Sequence, residues 1–501
     1  MKSKYSVKNS ITSFISNIIS IIFVFLSQSI FIKTLGIEYS GLNGLFSNIL
    51  AIINLFELGI GSAIAFHLYK YTKDSNEDKI ISILNYCKKL YFVIVILILC
   101  FGLLTLPFIS FFIKEVTIEI NIYIIYLLFI INTISTYFLI HKRILLYSFQ
   151  RNYIINIIHI FYIIIVNIIQ ILVIIFTKNY YLYLIIKILC IILENIAISI
   201  KANKDYQFIQ NKNNKKITIK EKKDIKTRVR ALAIHKTSAA ITYGTDNILI
   251  SSFFGLTELG LYNNYHYIIN AVTTLFQGLI SSTGASVGVM LNEKESDNYF
   301  VFRRIKYLNH FLAIFTSVSL LVLVEPFITL WLGKKYLMDS FVLIILVINY
   351  YQLFMRTSFN TFKDAAGIWV EDRVVAIIQS IVNLVVSIIM LHFVGLSGIF
   401  IGTIVSSFTV WFYSYPKYIY KGLFKISYGD YYKEFIWELF VFIVIMIITI
   451  VIVNIITFDS IIISFIIRII IVATIPNILF ILLNDKKYFI YYVNLVKKIL
   501  K

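Results

Sequence analysis

Long apolar stretches separated by short polar breaks run from one end of the chain to the other. Fourteen of them are long enough to span a hydrocarbon core of ~30 Å. They are 9–33, 40–67, 86–113, 119–149, 152–176, 180–203, 230–254, 259–291, 304–332, 337–363, 370–394, 396–421, 432–456 and 458–483. Each is predicted to be a transmembrane helix. The fourth and eighth exceed what a bilayer needs, so their ends are expected to extend into water. The first is too long, and lacks a small-residue cleavage site, to be a removable signal peptide.

Polar positions are not spread evenly over these stretches. The first carries Asn9, Thr12, Ser16, Asn17, Ser27 and Gln28, and the second Asn43, Ser47, Asn48, Asn54, Glu57 and Ser62. The seventh carries Lys236, Thr237, Thr242, Thr245, Asp246 and Asn247, and the eighth Asn263, Asn264, His266, Asn270, Thr273 and Gln277. The thirteenth, from Phe440 to Val453, has one hydroxyl, Thr449, and no charge. A polar side chain in lipid needs a protein or water partner, so polarity reports the faces that avoid lipid. The pattern predicts a central hydrated cavity walled by the first, second, seventh and eighth helices. Small polar residues also serve close helix packing, and that reading stays open for any single Ser or Gly.

The four polar helices fall at matching places because the chain repeats itself. A shift of 219 residues places Gly36 on Gly255, Gly41 on Gly260, Leu42 on Leu261, Gly59 on Gly278 and Ser62 on Ser281. The same shift places Pro107-Phe108-Ile109 on Pro326-Phe327-Ile328, in a chain with only 4 prolines. Two bundled copies in a membrane chain usually mean a transporter with its site between them. The expected organisation is a six-helix lobe over 1–203, a basic linker over 204–229, a second six-helix lobe over 230–421, and two further helices with a basic tail over 422–501. An even number of helices per copy makes the repeat parallel, about an axis along the membrane normal.

Composition agrees. The chain is 59 % hydrophobic and 14 % charged, with mean hydropathy +0.85. The net charge of +20 would suggest nucleic acid if it were clustered for that purpose. With the N-terminus in the cytoplasm, however, 37 of the 46 Lys and Arg fall in cytoplasmic segments and 5 on the opposite side. This is the positive-inside asymmetry, and it puts both termini in the cytoplasm. The excess charge orients the chain and attracts anionic lipid headgroups, so no nucleic-acid partner is expected. The run from Lys212 to Arg230 reads as a solvated linker, too short and too charged to fold alone. The 3 cysteines suit small core residues and form no metal or disulfide framework.

Charges inside the apolar stretches cost at least ~2.5 kcal/mol each on insertion scales. Glu325, Lys187, Glu194 and Arg468 read as internal ion pairs, snorkelling groups or helix-end placements. For Lys236, Arg356, Glu57 and Asp246 that reading and a cavity-facing role are both open. Cations in a dry, enclosed site would bind a diphosphate, Arg by a bidentate contact. His67, His141 and His266 are weaker candidate contacts. His141-Lys142-Arg143 is either a positive-inside anchor or part of the route by which an anionic headgroup enters.

The stretch Leu35-Gly36-Ile37-Glu38-Tyr39-Ser40-Gly41-Leu42-Asn43-Gly44-Leu45-Phe46-Ser47-Asn48, leading to Glu57-Leu58-Gly59-Ile60-Gly61-Ser62-Ala63, resembles the start of bacterial lipid-linked oligosaccharide flippases. So do Thr245-Asp246-Asn247 leading to Gly260-Leu261-Tyr262-Asn263-Asn264-Tyr265, Phe362-Lys363-Asp364-Ala365-Ala366-Gly367, and Asn383-Leu384 to Gly402-Thr403. These flippases form the polysaccharide-transporter branch of the multidrug/oligosaccharidyl-lipid/polysaccharide exporter superfamily. The resemblance covers the first twelve helices, and the last two only in number. It implies an all-α integral membrane fold of 14 transmembrane helices, with two six-helix lobes around a central cavity. It also implies alternating access that carries undecaprenyl-diphosphate-linked sugars outward across the bacterial cytoplasmic membrane.

On this reading Lys236, Arg356, His266, Asn270, Gln28 and Asn54 face the diphosphate-sugar head, and Glu57 and Asp246 couple a proton or Na⁺. No cofactor is expected, and no Gly-rich Lys-Ser/Thr nucleotide motif is present. The expected partners are the polyprenyl-diphosphate-linked glycan and membrane lipids, with a polysaccharide polymerase or glycosyltransferases as further candidates. The oligomeric state stays open. A multidrug cation/H⁺ or Na⁺ antiporter of the same superfamily is the alternative, disfavoured by the lack of Asp or Glu between Asn9 and Lys33. A peptidoglycan-precursor flippase should carry more arginine in its first helix, and none occurs here. A membrane glycan polymerase or ligase needs a substantial outer loop, so the chain is not expected to be an enzyme.

Overall fold

A computed structural model of the chain describes residues 2–57, 60–73, 76–114, 120–210, 217–291, 298–368, 371–456 and 459–500. All regular structure among the described residues is helical. The chain divides by contact into two compact units, Met1–Asn263 and Asn264–Lys501. Eleven of the described helical segments are long and apolar enough to cross a membrane, which makes this a multi-pass membrane protein. Among the described residues, the second, seventh and eighth predicted stretches hold no helix that qualifies. All three belong to the polar set.

The first unit begins with α1 (Lys2–Leu35). The second stretch is divided into α2 (Ile37–Ile53), a 3-10 turn (Asn54–Glu57) and α3 (Ile60–Lys73). α4 (Glu77–Thr105) runs into a 3-10 segment (Leu106–Phe112). The fourth stretch is two helices, α5 (Ile122–Thr136) and α6 (Ile140–Ser148). Its surplus length is absorbed by a turn in which Leu139 takes φ 57°. α7 (Asn152–Thr177), α8 (Tyr180–Asp205) and α9 (Ile219–Phe253) follow. α10 (Leu256–Ser281) opens in this unit and ends in the next. Asn76, Asn121 and Asn179 accept first-turn amides of α4, α5 and α8, which is why those polar breaks start helices.

Part of the expected linker is helical. Residues 219–229 are the first turns of α9, closed by a capping box between Thr218 and Glu221. Tyr71 donates to Glu221 Oε1 at 2.6 Å and Lys79 at 3.1 Å, while His67 Nε2 lies 3.1 Å from Asp224. These bonds tie the start of α9 to α3 and α4. Burial pushes the Glu221 carboxyl up, but the bonds from Thr218, Tyr71 and Lys79 outweigh it and hold the group at about 2.

The repeat is visible where α2 crosses the start of α10. Gly36 and Gly255, matched by the 219-residue shift, take φ 107° and 93°, a conformation open to glycine. A Cβ on Gly41 would stand 2.1 Å from the Leu256 carbonyl oxygen, and one on Gly260 2.4 Å from that of Ile37. Ile37 and Leu256 are themselves 219 residues apart, so the two contacts exchange under the repeat shift. Glu38 and Thr257, also equivalent, share a hydrogen bond of 3.3 Å. The crossing therefore has local two-fold symmetry.

The second unit contains most of α10 and the short α11 (Gly284–Met290), so the long eighth stretch is also two helices. α12 (Asn298–Trp331), α13 (Ser340–Ala366), α14 (Arg373–Val394) and α15 (Leu396–Thr409) follow. α15 continues into wider π-type turns (Val410–Leu423). α16 (Tyr428–Ile455), α17 (Ile461–Leu483) and α18 (Lys486–Leu500) complete the chain. α13 is 61 % buried across its most apolar window and α17, the more apolar sequence, 22 %. Apolar residues facing outward are expected when the solvent is lipid. Gly398 and Gly402 let α15 lie against the α14 backbone at Met390 and Ser387.

α16 carries a network that sequence reading passed over. Lys306 of α12 is buried and donates to Glu434 at 3.0 Å and to Tyr420 at 2.9 Å. Its ammonium also lies 2.9 Å from Glu438. Glu434 and Glu438, four apart on α16, thus share one lysine. Glu325 accepts from Ser340 at 2.9 Å, and Arg468 donates to the Val322 carbonyl at 3.4 Å.

Candidate functional site

The break between α2 and α3 places Glu57 at the end of the 3-10 turn. There its Oε1 accepts the Tyr91 hydroxyl of α4 at 2.9 Å. Gly61, one helical turn on, makes this possible. A Cβ at Gly61 would lie 3.0 Å from that hydroxyl and 3.6 Å from the carboxylate. Tyr137, in the turn between α5 and α6, stacks on Tyr91 with ring centres 5.8 Å apart.

α6 then presents Arg143. Its guanidinium donates to Glu194 of α8 at 2.9 Å and to Asn195 at 3.3 Å. His159 of α7 lies 3.0 Å from the same Glu194 oxygen. Glu194 is buried, and a buried carboxylate needs such partners. Together α3, α4, α6 and α7 enclose a cavity of about 670 Å³, lined among others by Glu57, Tyr91, Arg143, Tyr147, Asn156 and His159. It lies wholly within the first unit. Lys187, placed by sequence on the face of Glu194, is not among the groups that hold it.

The second unit has its own polar cluster on α13. Arg356 donates to Tyr415 at 3.3 Å and to Gln379 of α14 at 3.3 Å. The Tyr415 hydroxyl donates to Asn360 at 3.1 Å. Lys363 pairs with Asp372 and reaches Ser414 at 3.5 Å. Phe359 stacks on Tyr415 at 4.4 Å and fixes its ring. Arg356, Asn360 and Lys363 recur at four- and three-residue spacing, so one face of α13 carries all three.

The other sequence candidates are distributed as follows. Gln28 of α1 is buried and donates to Ser40 Oγ at 2.7 Å, while Asn263 donates to the Ser40 carbonyl at 2.9 Å. These groups form a buried polar seam beside the α2–α10 crossing. Asn54 opens the 3-10 turn that ends at Glu57, and its buried Oδ1 has no hydrogen-bond partner among the described residues. Asp246 of α9 is buried, and its Oδ1 likewise has none. Gly244, two residues before it, faces Ile52 of α2. His266 is half-buried and Asn270 exposed on α10. The Lys236 side chain lies outside the described residues.

Of the candidates whose side chains are described, only Glu57 lines the 670 Å³ cavity. His159 and Tyr91 were not singled out as site residues, and Arg143 only within His141-Lys142-Arg143, as an anchor or part of an entry route for an anionic headgroup. One signal was available: Asn152, Asn156 and His159 recur at four- and three-residue spacing, a polar stripe on the largely apolar α7.

No sequence profile of a known family matches the chain, and no curated protein does. Solved structures do. The lipid II flippase MurJ in an inward closed conformation superposes with TM-score 0.64 at 18 % identity, over 98 % of this chain and 100 % of its own. A Vibrio cholerae MATE transporter gives 0.55 at 14 % identity, over 84 % and 99 %. The inward-facing conformation of a multidrug resistance MATE family transporter of the MOP superfamily gives 0.54 at 13 % identity, over 77 % and 91 %. The chain has the fold that these transporters and this flippase share.

Proposed function

We propose that the chain is a flippase that carries an undecaprenyl-diphosphate-linked oligosaccharide, such as an O-antigen or capsule repeat unit, across the bacterial cytoplasmic membrane by alternating access. The observation that carries the proposal is the polarity of three of the fourteen stretches. The second, seventh and eighth carry Asn, Glu, Lys, Asp and His within apolar sequence, and among the described residues none of them holds a helix that qualifies as a span; a membrane protein keeps such groups for a hydrated path or a protein partner. The fold shared with a lipid II flippase supports the same reading.

Arg356, held by Tyr415 and Gln379, is assigned to the diphosphate, where a fixed guanidinium fork suits phosphate oxygens. Lys236 has the same assignment on sequence grounds, and His266 and Asn270 are assigned to the headgroup. Glu57 and Asp246 are assigned to ion coupling. Asp246 also favours a second reading, cation exchange as in a multidrug antiporter, because a buried carboxylate oxygen without a hydrogen-bond donor suits a proton or Na⁺.

The test replaces Arg356 and Lys236 with Ala, singly, in cells that depend on this chain for surface glycan. Surface glycan should fall at least tenfold at unchanged protein level. Normal glycan in both variants removes the two cations from the mechanism. Normal glycan in cells lacking the chain altogether, with altered drug resistance, favours the antiporter.

A further inference from the structure

The cavity of the first unit has no role in the assignments above beyond Glu57. Its lining is unlike that of a simple ion site. A guanidinium, Arg143, and a carboxylate, Glu57, stand in the same wall. Arg143 is already paired with Glu194 and Glu57 already accepts the Tyr91 hydroxyl, so neither charge stands open to an incoming ion. Donors and acceptors stand together in a largely apolar wall: Arg143 donates, Glu57 accepts, and Asn156, which donates to Thr12, keeps its carbonyl as an acceptor.

Aromatic faces complete the wall. Tyr147 is 49 % exposed and Tyr69 38 %, and both line the cavity. Their rings stand 6.4 Å apart at 44°, so they present two tilted apolar faces beside the polar groups. A volume of about 670 Å³ lies within the usual range of small-molecule sites, about 300–1,000 Å³.

We infer that this cavity is a subsite for an uncharged saccharide. A pyranose ring offers apolar C–H faces for Tyr69 and Tyr147 to stack against. Its hydroxyls both donate and accept, which matches the mixed lining. Arg143 and His159 are held by Glu194, so the hydrogen-bonding groups are pre-positioned, which reduces the cost of ordering them on binding. The inference rests on the proposed flippase function only for the source of the sugar, the glycan head of the lipid-linked substrate.

The test is saturation-transfer NMR on the full-length protein in detergent, with methyl glycosides of neutral hexoses and N-acetylhexosamines as probes. Glucuronate and tetramethylammonium serve as charged comparators. Ring protons of at least one neutral glycoside should receive saturation. The effect should drop at least fivefold in Tyr147→Ala and Asn156→Ala, and persist in Tyr147→Phe and in Gly278→Ala. Each variant is first matched to wild type in thermal midpoint. A midpoint shift in Tyr147→Ala leaves Asn156→Ala and Tyr147→Phe to decide.

Transfer to no neutral glycoside overturns the inference. So does equal transfer in Tyr147→Ala, or stronger transfer to tetramethylammonium. If saturation transfer fails while surface glycan still depends on Arg356, the subsite falls and the flippase reading stands. If saturation transfer succeeds while surface glycan is indifferent to Arg356, the subsite stands and the flippase role of Arg356 falls.

Discussion

Substituting Gly41 with Ala probes the crossing of α2 and α10 with little else changed. The new Cβ would stand 2.1 Å from the Leu256 carbonyl oxygen and 2.9 Å from its carbon. Both are backbone atoms, so no side-chain rotation relieves the clash. The helices must separate by about 1 Å, and overpacking of that kind costs about 1–3 kcal/mol. The better helix propensity of Ala returns at most about 1 kcal/mol. A cost near the upper end of the overpacking range is expected, because the obstacle is backbone, leaving a net loss of about 2 kcal/mol. Gly260→Ala, with its Cβ 2.4 Å from the Ile37 carbonyl oxygen, should cost a similar amount by the repeat symmetry. Gly278→Ala is the control: nothing lies within 4 Å of its Cβ, so it should be neutral or slightly stabilising. The assay is the thermal midpoint of the purified protein in detergent, where 1 kcal/mol corresponds to about 2–4 °C for domains of this size. Gly41→Ala and Gly260→Ala should each lower it by about 4–8 °C. An unchanged midpoint in both, or an equal fall in Gly278→Ala, refutes the close crossing.

Three further expectations concern polar groups. Lys306→Met leaves the half-buried Glu434 and Glu438 without the buried ammonium they share. It should cost about 3–5 kcal/mol, with part regained in Lys306→Met combined with Glu438→Gln, both read as thermal midpoints. Gly61→Ala should push the Tyr91 hydroxyl aside by a few tenths of an ångström and weaken its hydrogen bond to Glu57, at a cost of up to about 1 kcal/mol. Tyr91→Phe should then cost less in that background than in wild type, and full additivity in a double-mutant cycle would contradict the shared bond. Glu221, held at about 2 against an ordinary 4.5, contributes stability that is complete above about pH 4.5 and is lost as the pH falls towards 2. The midpoint gap between wild type and Glu221→Gln should therefore close over that interval. A gap constant from pH 7 to 2 would argue against the depressed carboxyl.

The parts of the fold legible in the sequence are those with short-range causes. Apolar length marks the membrane segments, and the 219-residue shift marks Gly36 with Gly255 and Gly41 with Gly260. Both pairs have matching structural duties: a left-handed backbone in one, a close crossing in the other. The matched prolines diverge, however. Pro107 begins a 3-10 segment, while Pro326 stays inside the continuous α12. An identical residue does not fix a local structure that its neighbours also decide. The helix over 219–229 was not legible in the basic run before residue 230, because the charges were counted without the capping box and the bonds to Tyr71 and Lys79.

The cavity of the first unit was harder to read. Arg143, His159 and Glu194 come from three helices, and only packing brings them within 3.0 Å of a shared oxygen. Periodicity marks the polar stripe of α7 that carries His159, but not the residues on other helices that it meets. The Lys306 network was missed for the same reason, since Glu434 and Glu438 lie 128 and 132 residues further on. Gln28 shows the opposite limit. Its polarity in an apolar helix was legible, but its partner, Ser40 across a helix junction, was not.

Translocation in proteoliposomes tests the central claim most directly. The purified protein is reconstituted with a polyprenyl-diphosphate-linked saccharide, and an impermeant glycosidase added outside reports how much of the sugar becomes accessible. The account predicts that the cleaved fraction rises from about half, the outer leaflet alone, towards completion with wild type, and stays near half with Arg356→Ala. Wild-type vesicles that hold at half under an imposed ion gradient, while moving an organic cation, would contradict it.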